Sequence, residues 1–406
     1  MHWSSVHAIW PAIALLGVVG TISSTIFLIM VLVAARRFKR IVRQQVADTG
    51  AEHPRVTVLK PVHGFEPQLE ANLKSFFEQD YPEYEIVFGC RTAEDPALAV
   101  VEKLRQRYPA VNVRIVLSGE PRRPNAKVYS LDQMIASSTN DYFIISDSDI
   151  RVRPDFLRRV IAPLLDKKNG LVTCLYQGVP AGDFWSDLEA LGMSVELPSG
   201  VMVAEMMEGM KFALGAVMAV RRDALEKIGG IGTTADYYSD DFVLGNRVAE
   251  KGYTVVLANP GVGHVLTSQT FRQTFRTQLR WMQSTRYSRP KGHLGTGLTY
   301  STPFGLLALA GCAAIGALPV GIVLCAWGYL NRVVQCLAVG WGVIHDRRAL
   351  AYCWVYPVRD LLGFFVWAAS YLGGRYFQWR GELYRFTPGG RIEPASRKLQ
   401  AAGTGA

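Results

Sequence analysis

An open α/β sheet with most strands parallel, flanked at both ends by membrane-crossing helices, is the fold class this sequence predicts. Three observations predict it. Short β-branched runs alternate with helical repeats from Arg55 to Ser146, a pattern that builds a parallel sheet with right-handed crossovers. No charged residue falls between Ile9 and Ala35, a run long enough for a helix to cross a hydrocarbon core of about 30 Å. Beyond residue 300 the chain turns apolar a second time.

Composition narrows the functional classes. The 406 residues suffice for one large domain or two modest ones. Hydrophobic residues make up 49% and mean hydropathy is +0.12, high for a soluble enzyme. The net charge of +10 suits an anionic lipid surface, an anionic substrate or nucleic acid. No Lys/Arg-rich helix interleaved with aromatics occurs mid-chain, which argues against nucleic acid as a partner. The six cysteines form no C-x-x-C pair, poor spacing for zinc or for a disulfide framework, and read as buried reduced thiols.

The elements follow in order. Residues 1–35 read as a transmembrane helix, with Trp3 and Trp10 at its leading edge, where amphipathic rings favour the interface. A cleaved signal is excluded because the run is too long for an h-region and the basic residues follow it. Those residues, Arg36, Arg37, Lys39, Arg40 and Arg43, begin a juxtamembrane linker over 36–54 and put the amino terminus outside and the chain after them on the cytoplasmic side. A globular domain is expected over 55–268. Within it strands are predicted at 55–60, 84–89, 111–117 and 141–146, with helices at 66–79, 96–108 and 126–137 between them. Further strands are expected near 170–176, 214–221 and 254–257, and a helix over 240–251. An amphipathic, Arg-rich segment at 269–300 leads into apolar stretches within 301–374. These predict two close spans, Pro303–Tyr329 and Val333–Ile344, divided by Arg332. A third span or interfacial segment would carry a buried Arg359–Asp360 pair. Residues 375–406 read as a basic cytosolic tail.

Chemistry concentrates where strands end. Asp147-Ser148-Asp149 follows the strand at 141–146, so two carboxylates sit at a strand's carboxyl end, where open α/β sheets bind ligands. Alone, such a tripeptide is most often a polar turn; with a divalent cation it can hold phosphate oxygens. The first strand ends in Lys60-Pro61-Val62-His63-Gly64, a turn that lets backbone approach a nucleotide. Glu94-Asp95-Pro96 is an ordinary helix start, and equally a place where an acid would meet a base or ribose edge. Lys127, near the start of the next helix, is either solvated or a partner for negative charge. Asp240 and Asp241 begin a helix, either as caps or with one of them as general base for a hydroxyl nucleophile. Gln278-Leu279-Arg280-Trp281 lies in the amphipathic segment, as an interfacial anchor or a diphosphate clamp.

In this order the motifs resemble the inverting glycosyltransferases with a GT-A fold, a Rossmann-like α/β architecture, from Val56 to about Arg286. The narrower signals are Leu59-Lys-Pro-Val-His-Gly64, Glu94-Asp-Pro-Ala97, Ser146-Asp-Ser-Asp-Ile-Arg-Val152, Val172-Thr-Cys-Leu-Tyr-Gln177 and Gln278-Leu-Arg-Trp281. Together they are similar to glycosyltransferase family 21, which holds ceramide glucosyltransferases and bacterial hopanoid-associated glycosyltransferases. The resemblance implies a UDP-sugar donor, a membrane lipid acceptor and a divalent cation, Mg²⁺ or Mn²⁺. It implies an integral protein of a bacterial inner membrane whose catalytic domain faces the cytoplasm. Asp149 with Asp147 would ligate the metal, and Asp241, beside Asp240, would be the base. Lys60, Pro61, Glu94, Asp95, Lys127, Asp147 and Gln278 would bind the nucleotide sugar. Arg280 and Trp281 would meet the leaving diphosphate and cover the site. The family has Gln or Arg three residues before Arg-Trp; this chain has Thr277 between Arg276 and Gln278.

The implied reaction moves glucose from UDP-glucose to ceramide, or N-acetylglucosamine to a hopanoid polyol. A polysaccharide synthase would need a translocation channel and the full closing motif. A non-catalytic scaffold would have lost acids that this chain keeps. Met202, Met206 and Met210 lie in a methionine-rich run between the two acidic motifs. That run reads as a core helix, or as a soft apolar surface that admits the lipid acceptor.

Overall fold

The computed structural model describes residues 3–47, 53–268, 270–379 and 382–395. The chain forms two compact units: Met1–Lys39 with Gly182–Val203 and Ser268–Gly374, and Arg40–Ala181 with Ala204–Thr267 and Arg375–Ala406. The strands are β1 (Val56–Pro61), β2 (Tyr84–Cys90), β3 (Asn112–Leu117), β4 (Tyr142–Ser146), β5 (Ile150–Arg151), β6 (Asn169–Val179), β7 (Val217–Arg221), β8 (Thr254–Val265), β9 (Tyr376–Trp379), β10 (Glu382–Phe386) and β11 (Ile392–Pro394). The first helices are α1 (Trp3–Ala47), α2 (Leu69–Phe77), α3 (Ala97–Arg107), α4 (Ala126–Ala136), α5 (Phe156–Ile161), α6 (Phe184–Glu208), α7 (Arg222–Lys227) and α8 (Asp240–Glu250). After them come α9 (Phe271–Ser288), α10 (Pro290–Gly297), α11 (Thr302–Ala314), α12 (Leu318–Gln335), α13 (Arg348–Tyr352) and α14 (Tyr356–Leu372).

In the sheet unit, eight strands run in the order β3-β2-β1-β4-β7-β6-β8-β5. The β1–β2, β2–β3, β1–β4 and β6–β8 pairs are parallel; β7 runs antiparallel to both neighbours, and β5 antiparallel to β8. Five of the six residues of β1 are buried, as expected of a central strand covered on both faces. The chain runs outward from β1 to β3, then returns to place β4 on the other side of β1. That reversal opens a crevice at the carboxyl ends of β1 and β4, the usual ligand position in such sheets.

Two departures from the sequence reading occur here. Strand β8 does not stop at Leu257 but runs on to Val265. Asn259-Pro260-Gly261 forms a bulge within it: the register with β6 shifts between Cys174 and Tyr176, and Gly261 takes φ 82°. The expected basic tail forms an antiparallel sheet, β11-β10-β9. Its Phe377, Tyr384, Phe386 and Ile392 are buried, and Tyr238 packs against Phe377 and Phe386 at ring separations of 5.3 and 5.7 Å. Alternating apolar residues, masked by the surrounding arginines, carry that small sheet.

Among the described residues, two stretches are long and apolar enough to cross a membrane, Ile9–Arg43 and Leu318–Trp341. Helix α1 continues through the basic cluster to Ala47, so the first part of the expected linker is helical; residues 48–52 of it lie outside the described residues. Arg332 does not divide two spans. The break falls at Ile315–Ala317, where Gly316 has φ 81°, and Arg332 sits inside α12. It is tolerated there because its Nη1 lies 3.3 Å from Asp360 Oδ1 and two of its nitrogens donate to Asn331 Oδ1. The anticipated Arg359–Asp360 pair is likewise re-partnered, since adjacent helical residues point about 100° apart. Asp360 takes Arg332 and the backbone N–H groups of Ser301 and Thr302, whereas Arg359 lies 3.1 Å from Glu196.

Small residues set the α1–α11 spacing. A Cβ on Gly17 would stand 2.3 Å from the Ala308 nitrogen, and one on Gly311 2.4 Å from the Ala14 nitrogen. Backbones this close exclude any side chain, the packing that apolar helices use in place of a hydrophobic driving force. Gly311→Leu should therefore lower the thermal midpoint in detergent by roughly 5 °C or more. Gly295→Ala, at a position with nothing within 4 Å, should not lower it.

Candidate active site

The crevice at the ends of β1 and β4 gathers the acidic motifs. Past Ser146 the chain leaves β4 with Asp147, whose N–H donates to Ala216 O at 3.4 Å. Ala216 follows Gly215, and a Cβ on Gly215 would stand 2.9 Å from Asp241 Oδ2. A hydrogen bond, a peptide bond and the close approach of Gly215 to Asp241 thus link Asp147 to Asp241, residues far apart in sequence. Asp149 is held from the other side. The short strand β5 pairs Ile150 with His264 of β8, and His264 Nε2 lies 3.2 Å from Asp149 Oδ2. The Tyr176 ring packs beside His264 at 5.5 Å.

Two lysines answer this negative charge. Lys127 makes an ion pair with Asp147 and feels Asp240 and Asp241. Burial works against its charge, yet these carboxylates keep its pKa above the ordinary lysine value. Lys60 lies wholly buried over the Phe76 ring at 3.9 Å, donating to Ser146 Oγ and to the Asp147 carbonyl. Burial lowers its pKa to about 7 against the pull of Asp147, Asp149 and Glu66. Burial also raises the Asp147 carboxyl, partly offset by Lys127. Burial opposes ionisation of Asp149 too, but His264 and the two lysines outweigh it and hold that carboxyl low.

Asp240 and Asp241 open α8 without capping it; Ser239 holds the cap position and makes no side-chain cap bond. Asp240 is buried and accepts from Asn125 Nδ2 at 3.1 Å, while Asn125 Oδ1 caps α4 by accepting from Val128 N–H. Asp241 Oδ1 accepts from the Phe242 N–H at 2.8 Å. Its pKa is raised to about 7, first by burial and then by Asp240, with Phe242 and Lys127 pulling the other way. One carboxyl of this cluster is therefore poised to exchange a proton near neutrality, while Asp149 stays ionised.

Comparisons with known proteins give the family and the fold. The model of Glycosyl transferase family 21 matches residues 16–392. The chain belongs to that family. Ceramide glucosyltransferase 3 of Caenorhabditis elegans is 22% identical to this glycosyltransferase over 354 residues, 84% of this chain and 74% of the relative. A ceramide glucosyltransferase of Komagataella phaffii is 36% identical over 114 residues, 27% of this chain and 22% of the relative. Among solved structures, the mannosyltransferase PcManGT of Pyrobaculum calidifontis, in complex with GDP-Man and Mn²⁺, aligns with a TM-score of 0.52 at 19% identity. That alignment covers 86% of this chain and 99% of PcManGT. The sheet of this glycosyltransferase is thus a GT-A sheet.

The other expected residues stand in varied surroundings. Lys60, expected at the nucleotide, has no exposed surface and braces the Asp147 turn from beneath. Asp95 joins two elements. Its Oδ1 accepts from Gly64 N–H and Ala97 N–H, both at 2.9 Å, tying the β1 turn to the start of α3. Glu94 is exposed and Pro61 half-buried at the crevice. Gln278, Arg280 and Trp281 lie on α9 of the helical unit, not on the sheet unit. In the methionine run Met202 and Met210 are buried, Met206 is half-buried and Met207 is exposed.

Among the described residues, no group of three or more His, Cys, Asp or Glu side chains could by itself hold a metal ion. The Asp149 donor set nevertheless fits a cation whose remaining ligands come with a diphosphate. Asp149 Oδ1 is buried and accepts no hydrogen bond, a lone pair left over for an electropositive partner.

Linkage gives the raised Asp241 carboxyl a testable sign. Its contribution to folding is full below the ordinary carboxyl range and is lost as pH rises through about 7. Asp241→Asn, uncharged throughout, should therefore raise the thermal midpoint above wild type at pH 8 and by less at pH 5, where only part of the loss has occurred.

Proposed function

We propose that this chain is a membrane-bound inverting hexosyltransferase that moves glucose from UDP-glucose to a lipid hydroxyl at the cytoplasmic face. Ceramide is the acceptor that the relatives' names favour. The observation that carries the reading is the Asp147–Ala216–Gly215–Asp241 connection, which sets a metal-type carboxylate pair and a proton-exchanging carboxyl around one crevice. The transferase core is proposed over 55–268, although Gly182–Val203 within it belongs to the helical unit and the small sheet past Arg375 joins the sheet unit. The roles of Arg280 and Trp281 are proposed from the family motif alone.

The chemistry is a single displacement. The acceptor oxygen attacks the anomeric carbon while Asp241 takes the hydroxyl proton. The bond from that carbon to the diphosphate oxygen breaks, and its electron pair leaves with UDP. Attack from the opposite face turns an α-linked donor into a β-linked product. Asp149 and Asp147, with His264 at Asp149, would hold Mg²⁺ or Mn²⁺, which when bound neutralises charge on the diphosphate. Lys127 stops the four carboxylates from repelling one another apart. Asn125 orients Asp240 and so the first turn that carries Asp241.

The decisive experiment incubates the purified full chain with Mg²⁺, a panel of UDP-sugars and extracted lipids, and reads products by mass spectrometry. Glucosylated ceramide is expected. A hopanoid polyol carrying N-acetylglucosamine would move the substrate pair to the alternative, and soluble polysaccharide would sink the lipid reading. Asp241→Asn should cut transfer on the order of 10²–10⁴-fold with UDP binding retained. Asp149→Ala should weaken UDP binding only when the cation is present. Full activity in Asp241→Asn would remove the base assignment.

A further inference from the structure

Strand β6 reaches both acidic sides of the crevice. On one side, buried Thr173 grips Leu214: its Oγ1 accepts from the Leu214 N–H at 2.8 Å and donates to the Leu214 carbonyl at 3.4 Å. Gly215 comes next, the residue whose missing side chain admits Asp241. On the other side, Tyr176 pairs with Val262 of β8, and its ring packs at 5.5 Å on His264, the partner of Asp149. That second meeting depends on the bulge in β8. The register shift between Cys174 and Tyr176 carries Asn259-Pro260-Gly261 past the ladder. His264, two residues beyond Val262 and so on the same face of the sheet, then arrives beside the ring.

Tyr176 is a phenol among acids. It is half-buried and feels the charges of Asp241, Asp149 and Asp147. Burial first, and then these acids, hold its pKa well above the ordinary phenol value, so it keeps its proton while Asp241 titrates. Its hydroxyl makes no hydrogen bond to any described residue. A tyrosine that only fills a core usually finds a partner for its hydroxyl. Here the strand and His264 fix the ring, and the hydroxyl is left as one donor and one acceptor, both uncommitted.

The proposed reaction decides what lies beside it. The anomeric carbon must sit between Asp241, which takes the acceptor's proton, and the diphosphate held beside Asp149. A side chain that feels both acids therefore borders the hexose. The hexose carries neutral hydroxyls, each a donor and an acceptor, which match the phenol group for group. We infer that the Tyr176 hydroxyl hydrogen-bonds a hydroxyl of the donor sugar and is a residue by which the crevice selects its UDP-sugar. The inference rests on the proposed nucleotide-sugar reading of this crevice and adds a group that tells one sugar from another. A site built to bond a hydroxyl rejects the analogue that lacks it.

The test measures, by calorimetry, the binding of UDP and UDP-sugars to the full chain in nanodiscs with Mg²⁺ and no acceptor. Tyr176→Phe keeps the ring on His264 and removes only the hydroxyl. It should leave the affinity for UDP unchanged, which serves as the control on the fold. It should lower the affinity for the UDP-sugar that wild type binds best, expected to be UDP-glucose, about fivefold. Monodeoxy analogues of that sugar locate the contact. One of them should bind wild type about fivefold more weakly than the parent sugar and lose no further affinity in Tyr176→Phe. Equal losses for UDP and the UDP-sugar would move the contact to the nucleotide or diphosphate and overturn the inference. Unchanged donor binding in Tyr176→Phe, or a series in which every deoxy analogue loses as much as the parent, would overturn it as well. A wild-type chain with no cation-dependent affinity for any UDP-sugar would instead refute the nucleotide-sugar reading, and the inference with it.

Discussion

The antiparallel pairing of β4 with β7 is the constraint on which the candidate site depends. It aligns Ser146 with Val217, so that the two strands end side by side and the backbone leaving one touches the backbone entering the other. Gly215 then lets the Asp241 carboxylate approach without a methyl in its way. Sheet hydrogen bonds fix this spacing far more rigidly than two loops could. Four carboxylates are thereby crowded into one crevice, at an electrostatic cost that Lys127 and Lys60 partly offset. The strain of like charges is a resource as well as a burden, because it spreads the proton affinities of neighbouring acids in opposite directions.

Much of this was legible in the residues. Strands at 84–89 and 141–146, the helix start at Ala126 and the helix beginning at Asp240 follow from apolar periodicity and ordinary helix-start residues. The acidic motifs could be ordered along the chain because each sits where a strand or helix begins or ends. What stayed hidden depends on partners distant in sequence. His264 lies beyond Asn259-Pro260-Gly261, and nothing local says that this tripeptide bulges within a strand instead of ending it. Lys60 looks like a ligand contact in sequence. Only the register of β1 against β4 reveals that its ammonium lies beneath the Asp147 turn. Glu85 is similar: its carboxylate accepts from Thr57, Ser138 and Arg114, a buried knot with no sequence signature.

The helical unit shows the same principle in an apolar setting. A charged residue in an apolar run looks like a boundary, which is how Arg332 reads along the chain. In three dimensions Asp360 serves both that guanidinium and the first N–H groups of α11, so one carboxylate settles a charge and a helix end together. Asp346 does comparable work, accepting from Ser194 and pairing with Arg348. Polar groups of this kind fix helix register where hydrophobic packing alone would let helices slide.

The small sheet β9–β11 has a consequence for how the protein matures. Arg391 Nε donates to the Tyr237 hydroxyl at 3.1 Å, Ile392 N–H to Asp236 O at 2.8 Å, and Phe377 and Phe386 wedge against Tyr238. These contacts clamp the segment that leads directly into Asp240 and Asp241. A ribosome reaches those clamping residues well over a hundred positions after it has made the acids they steady. The nascent polypeptide thus lacks the support of this acidic cluster until the residues from Tyr376 to Ile392 have been made, and a premature stop codon before Tyr376 would leave every acid in place but their support missing.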